Sequence, residues 1–189
     1  MKKLSFILIF LFLSISAVAQ FSYTVSDELP FGALNPNAPN EVGDYNLLIG
    51  ESTCISVSRA PDQTWNPEVK MLWRFKYIMN GMAVLDETLK EDGTHSGSIR
   101  QFNADSSSWY VHYFTSSSAP SKLTVWDGGT NDDGEIILYN EQAAPNGMEG
   151  FYKIKFYNIS DDSFDWVGTW VDETESFQFP TWKISCQKN

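Results

Sequence analysis

Val69-Lys70-Met71-Leu72-Trp73-Arg74-Phe75-Lys76-Tyr77-Ile78-Met79-Asn80-Gly81-Met82-Ala83-Val84-Leu85-Asp86 carries two strands and the turn between them. Met71, Trp73, Phe75, Tyr77 and Met79 alternate with Leu72, Arg74, Lys76 and Ile78. A period of two places the first set on one face of a strand, and the basic residues in the second set mark the outward face. Asn80-Gly81 between two apolar runs is a strong hairpin signal, because a type I′ turn needs positive φ at both central residues.

The same pattern repeats on both sides of this hairpin. Short runs rich in aromatic and β-branched residues, cut by turn clusters every eight to twelve residues, indicate a sandwich or a barrel. The predicted strands are 51–58, 69–79, 82–89, 96–102, 109–115, 122–126, 135–139, 151–157, 164–171 and 181–186. Asp92-Gly93, Asp127-Gly128-Gly129, Asp133-Gly134 and Asn146-Gly147 supply turn chemistry between them. No segment has both the 3.6-residue period and the length of a long helix, so any helix is a short one in a loop. The class is therefore all-β, and an antiparallel up-and-down barrel of about 8–10 strands fits best, since closure removes both sheet edges and makes the terminal strands neighbours.

Cys54 lies in the first predicted strand and Cys186 in the last, and the two are expected to pair; two buried free thiols are the alternative. Neither has a second Cys or a His at metal-ligand spacing, so no metal site is predicted. Trp109, Val111 and Tyr113 form a second inward row, and Phe164, Trp166, Gly168 and Trp170 a third. These rows build either a packed core or the wall of a cavity.

The chain opens Met1-Lys2-Lys3, continues through the apolar run from Leu4 to Ile15, and reaches Ala17-Val18-Ala19, which reads as a secretory signal over residues 1–19. The apolar run is too short to span a bilayer and no second one follows, so no membrane span is expected after cleavage; an uncleaved anchor is the alternative reading. Export to the periplasm or beyond is the expected destination. Removing residues 1–19 takes away Lys2 and Lys3 and no acid, leaving 11 basic against 24 acidic side chains, a net charge of −13. Scattered basic residues in so acidic a chain exclude nucleic acid as a partner. Residues 20–46 are rich in Pro, Asn and Gly and read as an irregular leader, with the barrel domain over 47–189.

Leu48-Ile49-Gly50-Glu51, Arg59-Ala60-Pro61-Asp62-Gln63-Thr64-Trp65, the run Trp73 to Asp86, Gly97-Ser98-Ile99-Arg100-Gln101-Phe102 and Trp109 together resemble a family of small bacterial lipocalin-like (calycin-type) barrels whose function is not established. The similarity covers a little under half of the mature chain. Ser52 stands where the lipocalin Gly-x-Trp signature has its tryptophan. The resemblance implies a barrel with an internal pocket, and no reaction.

Asp86 shares its face with Met82 and Val84, and Arg100 lies in the next strand. Facing inward, they either orient a polar ligand, as the guanidinium fork does for carboxylates, or form a structural ion pair. His95 is expected in a turn and His112 on the outer face. The serine clusters 106–108 and 116–118 lack a nucleophile elbow, and Asn131-Asp132-Asp133-Gly134-Glu135 lacks the ligand spacing of an EF-hand. No cofactor is implied.

The reading that follows is an exported binding module holding a small apolar or amphipathic ligand among Trp73, Phe75, Tyr77, Asp86, Arg100, Trp109, Tyr113 and Trp166. The alternatives are a small enzyme using Asp86 as acid or base with Arg100 stabilising negative charge, and a non-catalytic interaction protein docking to an envelope assembly through its leader.

Overall fold

The computed structural model describes residues 21–189; the expected signal segment lies outside the described residues. Ten strands follow one short helix: β1 Gly50–Ser58, β2 Val69–Ile78, β3 Ala83–Lys90, β4 His95–Asn103, β5 Ser108–Thr115, β6 Thr124–Thr130, β7 Ile136–Glu141, β8 Gly150–Tyr157, β9 Ser163–Asp172 and β10 Gln178–Lys188. Each pairs antiparallel with its neighbours in sequence, and β1 also pairs with β10, so the sheet closes into an up-and-down barrel with no free edge. Among the described residues no helix is long and apolar enough to cross a membrane.

The closing seam is covalent. Cys54 and Cys186 face each other in the β1–β10 register, with Cα atoms 4.1 Å apart, and are joined by a disulfide. The bond spans 132 residues of chain. Closing a loop of that length removes denatured-state entropy equivalent to roughly 5 kcal/mol as an upper figure.

Strand alternation sets what lies inside. Along β2, Met71, Trp73, Phe75 and Tyr77 are buried while their neighbours are half-buried or exposed. Trp109 and Val111 on β5, Phe164 and Trp166 on β9, and Ile184 and Cys186 on β10 continue the lining.

Two details of the expected pattern are corrected. The strand β2 ends at Ile78, and Met79, expected inward, is 61 % exposed with φ 53°. The turn hydrogen bond runs from Gly81 N–H to the Ile78 carbonyl at 3.1 Å, so Met79 and Asn80 are its central residues, one position earlier than the Asn-Gly pair indicates. Gly81 is needed for another reason besides its φ of 79°: a Cβ there would lie 2.3 Å from the Ala33 carbonyl oxygen, because the leader passes over the hairpin tip. Likewise Asp127-Gly128-Gly129 is not a turn but the second half of β6, paired with Tyr139, Leu138 and Ile137. A Cβ on Gly128 would meet the Ile137 carbonyl at 2.1 Å, so the glycine serves close strand approach, and the turn falls at residues 131–135.

The leader is ordered against the barrel. Asn35 N–H donates to the Gly81 carbonyl, Tyr77 N–H to the Phe31 carbonyl, and Asn35 Nδ2 to the Asn80 carbonyl, all within 3.1 Å. It then forms a 3₁₀ helix, Asn40–Leu48, lying across the 46/47 line expected to separate leader from barrel. Val42, Tyr45 and Leu48 are fully buried. Three residues per turn stack positions i, i+3 and i+6 on one face, so this triplet forms an apolar ridge. The ridge fills one end of the barrel, the end that also holds the turns at 79–82, 104–107, 131–135 and 158–162.

Candidate functional site

The barrel interior has two halves. At the end closed by the plug helix, Tyr45 packs edge-on to Trp109 with centroids 4.8 Å apart and meets Phe75 and Phe156 at 6.4 and 6.2 Å. Polar groups tie the helix in place. Asp44 Oδ2 accepts from Trp109 Nε1 at 3.0 Å and from Thr130 Oγ1 at 2.8 Å, and the Tyr77 hydroxyl donates to Asn46 Oδ1. Burial, with the Asp44 charge adding to it, pushes the Tyr77 phenol up to about 12.

Above this packed half lies a cavity of about 260 Å³, toward the end bearing the longer loops at 59–68, 116–123 and 142–149. One wall is polar: Asp86 and Thr88 on β3 with Ser96, Ser98 and Arg100 on β4. The remainder is aromatic and aliphatic, from Trp73, Tyr113, Trp126, Tyr152, Trp166 and Trp182, with Val111, Ile154 and Ile184. Gln142 sits at the rim. A mostly apolar enclosure with a few convergent polar groups is the usual composition of a small-molecule site.

Asp86 and Arg100 form the floor. Arg100 directs both Nε and Nη2 at Asp86 Oδ2, at 2.8 and 2.7 Å, while Asp86 Oδ1 accepts from Trp73 Nε1 at 3.1 Å. Arg100 Nη1 donates to the Tyr45 hydroxyl at 3.2 Å, and the guanidinium lies over the Tyr45, Phe156 and Phe75 rings at 5.0, 5.3 and 5.6 Å. Both side chains are 3 % exposed. Such a pair persists away from water only when geometry and hydrogen bonding are good, as they are here. Burial works against the Arg100 charge, but Asp86 and Tyr45 outweigh it and hold the guanidinium above its ordinary pKa. Burial pushes the Tyr45 phenol up as well, with Arg100 pulling against it. Each Asp86 oxygen already accepts a hydrogen bond, so the geometry is that of a fixed anchor between plug and cavity.

The residues expected to line a ligand thus divide. Trp73, Asp86, Arg100, Tyr113 and Trp166 border the cavity. Phe75, Tyr77 and Trp109 belong to the packed half and hold the plug helix. Thr88, Ser96, Ser98, Trp126, Tyr152 and Trp182 were not anticipated. Parity would have reached several of them: Thr88 shares the face of Asp86, Ser96 and Ser98 that of Arg100, and Trp182 that of Cys186.

Other polar features lie apart. His112 sits on the outer face of β5, opposite in parity to Val111 and Tyr113. His95 begins β4, its Nδ1 accepting from Lys90 N–H at 3.3 Å. At the cavity mouth Lys90 Nζ stands 4.3 Å over the Trp182 ring, and burial draws its pKa down while Asp92 opposes the shift. No group of three or more His, Cys, Asp or Glu among the described residues is arranged to hold a metal ion. In comparisons with protein-family models and with curated proteins, nothing matches the chain.

Proposed function

We propose that this is an exported, lipocalin-like binding module that holds a small, largely apolar molecule in the cavity above the Asp86–Arg100 floor. The observation that carries the reading is the hollow half of the barrel: about 260 Å³ bounded by six aromatic side chains and one polar strip, in a fold whose other half is filled. A barrel that served only as a rigid scaffold would gain stability by filling both halves, because unfilled interior forfeits dispersion contacts. The Cys54–Cys186 disulfide supports a destination in an oxidising compartment.

The test is native mass spectrometry of the mature protein purified from its own host, compared with the same sample after denaturation. A reproducible extra mass lost on unfolding is the expected result, accompanied by quenching of tryptophan fluorescence when the ligand is added back. Absence of extra mass, together with no fluorescence change across a panel of small apolar molecules, would overturn the reading.

A further inference from the structure

Two features of the cavity bear on what kind of molecule it takes. The first is charge. Asp86 and Arg100 are the charged side chains in the lining, and at 2.7 Å they neutralise each other. An anionic guest would have to displace Asp86 from the guanidinium, and a cationic guest would have to displace Arg100 from the carboxylate. Either would also leave water to enter a mostly apolar space.

The second is an orphan donor. Trp126 on β6 lies opposite inward-facing Val111 in the register and borders the cavity. Its Nε1 is buried without a hydrogen-bond partner. Two other indoles of the lining are paired: Trp73 Nε1 donates to Asp86 Oδ1, and Trp182 Nε1 to Ser56 Oγ at 2.8 Å. An indole nitrogen can only donate, so what Trp126 lacks is an acceptor. Buried donors left unpaired are uncommon in folded proteins and call for an explanation specific to the site.

We infer that the cavity selects an uncharged molecule of one or two rings bearing a hydrogen-bond acceptor oxygen, and that Trp126 Nε1 donates to that oxygen. The inference rests on the binding-module reading and adds the chemical class of the guest. Size sets the upper limit: about 260 Å³ is roughly nine times the liquid volume of one water, which suits a small ring system and excludes a long-chain lipid as the whole guest. Aromatic pairs border the cavity from β5–β6 and from β9–β10: Tyr113 stands edge-on to Trp126 at 5.8 Å and Trp166 edge-on to Trp182 at 5.3 Å.

Four probes on one carbon frame test it: 1-indanone, indane, indane-1-carboxylate and 1-aminoindane, titrated into the mature protein with its disulfide intact and followed by calorimetry. The expected order is 1-indanone at least tenfold tighter than each of the other three. In Trp126→Phe the 1-indanone advantage over indane should fall to within about twofold, whatever the change in the affinity for indane itself. A measurement on the unsubstituted protein stands beside the variant: the Trp126 indole ¹H–¹⁵N resonance should move downfield with 1-indanone and not with indane. Equal affinity for 1-indanone and indane, tighter binding of a charged probe, or an advantage that survives Trp126→Phe would overturn the inference while leaving a ligand cavity in place. Binding of none of the four would overturn the inference and count against the binding-module reading itself.

Discussion

Arg100 on β4 donates through Nη1 to the hydroxyl of Tyr45 across 3.2 Å, so the charged floor of the cavity and the leader's plug helix form one hydrogen-bonded unit. The cavity is therefore shaped by two parts of the chain far apart in sequence, and a change in the leader bears directly on the cavity floor.

Substitution at Tyr45 measures that coupling. Tyr45→Phe removes an acceptor from a buried guanidinium and is expected to lower unfolding free energy by about 1–3 kcal/mol. Tyr45→Ala also leaves a void among Trp109, Phe75 and Phe156, for a loss of roughly 3–5 kcal/mol. Urea denaturation followed by tryptophan fluorescence checks both. Equal losses for the two variants would show that ring packing contributes nothing.

For the ion pair, Asp86→Ala strands a buried cation and should cost roughly 3–5 kcal/mol, with a similar figure for Arg100→Ala. Asp86→Leu combined with Arg100→Met should recover most of that loss, because both charges leave together. Recovery will fall short of complete, since Trp73 Nε1 loses its acceptor in both of these Asp86 variants. A double-mutant cycle in denaturant gives the coupling; additive losses would mean that the two residues do not act as a pair.

Stability should decline at both ends of the pH scale, for opposite reasons. Hydrogen bonding to Arg74 holds Glu51 below its usual value, and Lys155 does the same for Glu135. A carboxylate depressed in the folded state stabilises above its unfolded pKa of about 4.3, and that contribution is lost as pH falls through the folded value. Tyr77 runs the other way. Its phenol is raised to about 12 in the fold, so its contribution is complete below the unfolded value of about 10 and is lost as pH rises toward the folded one. Denaturation midpoints against pH should be level across neutrality and fall on both flanks, and Tyr77→Phe should flatten the alkaline flank. An unchanged alkaline flank in that variant would assign the loss to another group.

Gly81→Ala should cost more than about 1 kcal/mol, because the residue sits at positive φ and the new Cβ would collide with the Ala33 carbonyl. The effect should be local. Hydrogen exchange is expected to speed up across residues 21–39 and the turn 79–82, while the β8–β9 pair keeps its protection. Uniform acceleration over the barrel would contradict the contact's local role.

The barrel was legible because its signals are short-range. Met71, Trp73, Phe75 and Tyr77 alternate without interruption, and all ten strands were placed within a few residues of their observed bounds. The Cys54–Cys186 pairing was expected from two cysteines in a chain that reads as exported, and the closed sheet sets their strands side by side. Tyr45 was not legible. The three-residue spacing of Val42, Tyr45 and Leu48 fits neither the strand period nor the α-helical one, and it lies among Gly43, Asn40 and Asn46, which read as loop. Trp126 was hidden by the glycines after it: reading Gly128 and Gly129 as a turn ended the strand too soon to reveal a row. The division of the aromatic rows into a packed half and a hollow half depends on the plug, so no inspection of the strands alone could have separated Trp109 from Tyr113.

The plug helix precedes β1 in the chain, and the disulfide joins β1 to β10. During synthesis the plug segment thus emerges ahead of every strand, so closing the sheet encloses a segment already made and nothing has to be threaded into a finished ring. The thiol of Cys186 arrives only after nearly all of the barrel has been made. Its oxidation with Cys54 therefore works as a mark of completion, present on chains that have delivered their last strand to their first and missing from chains that stopped short.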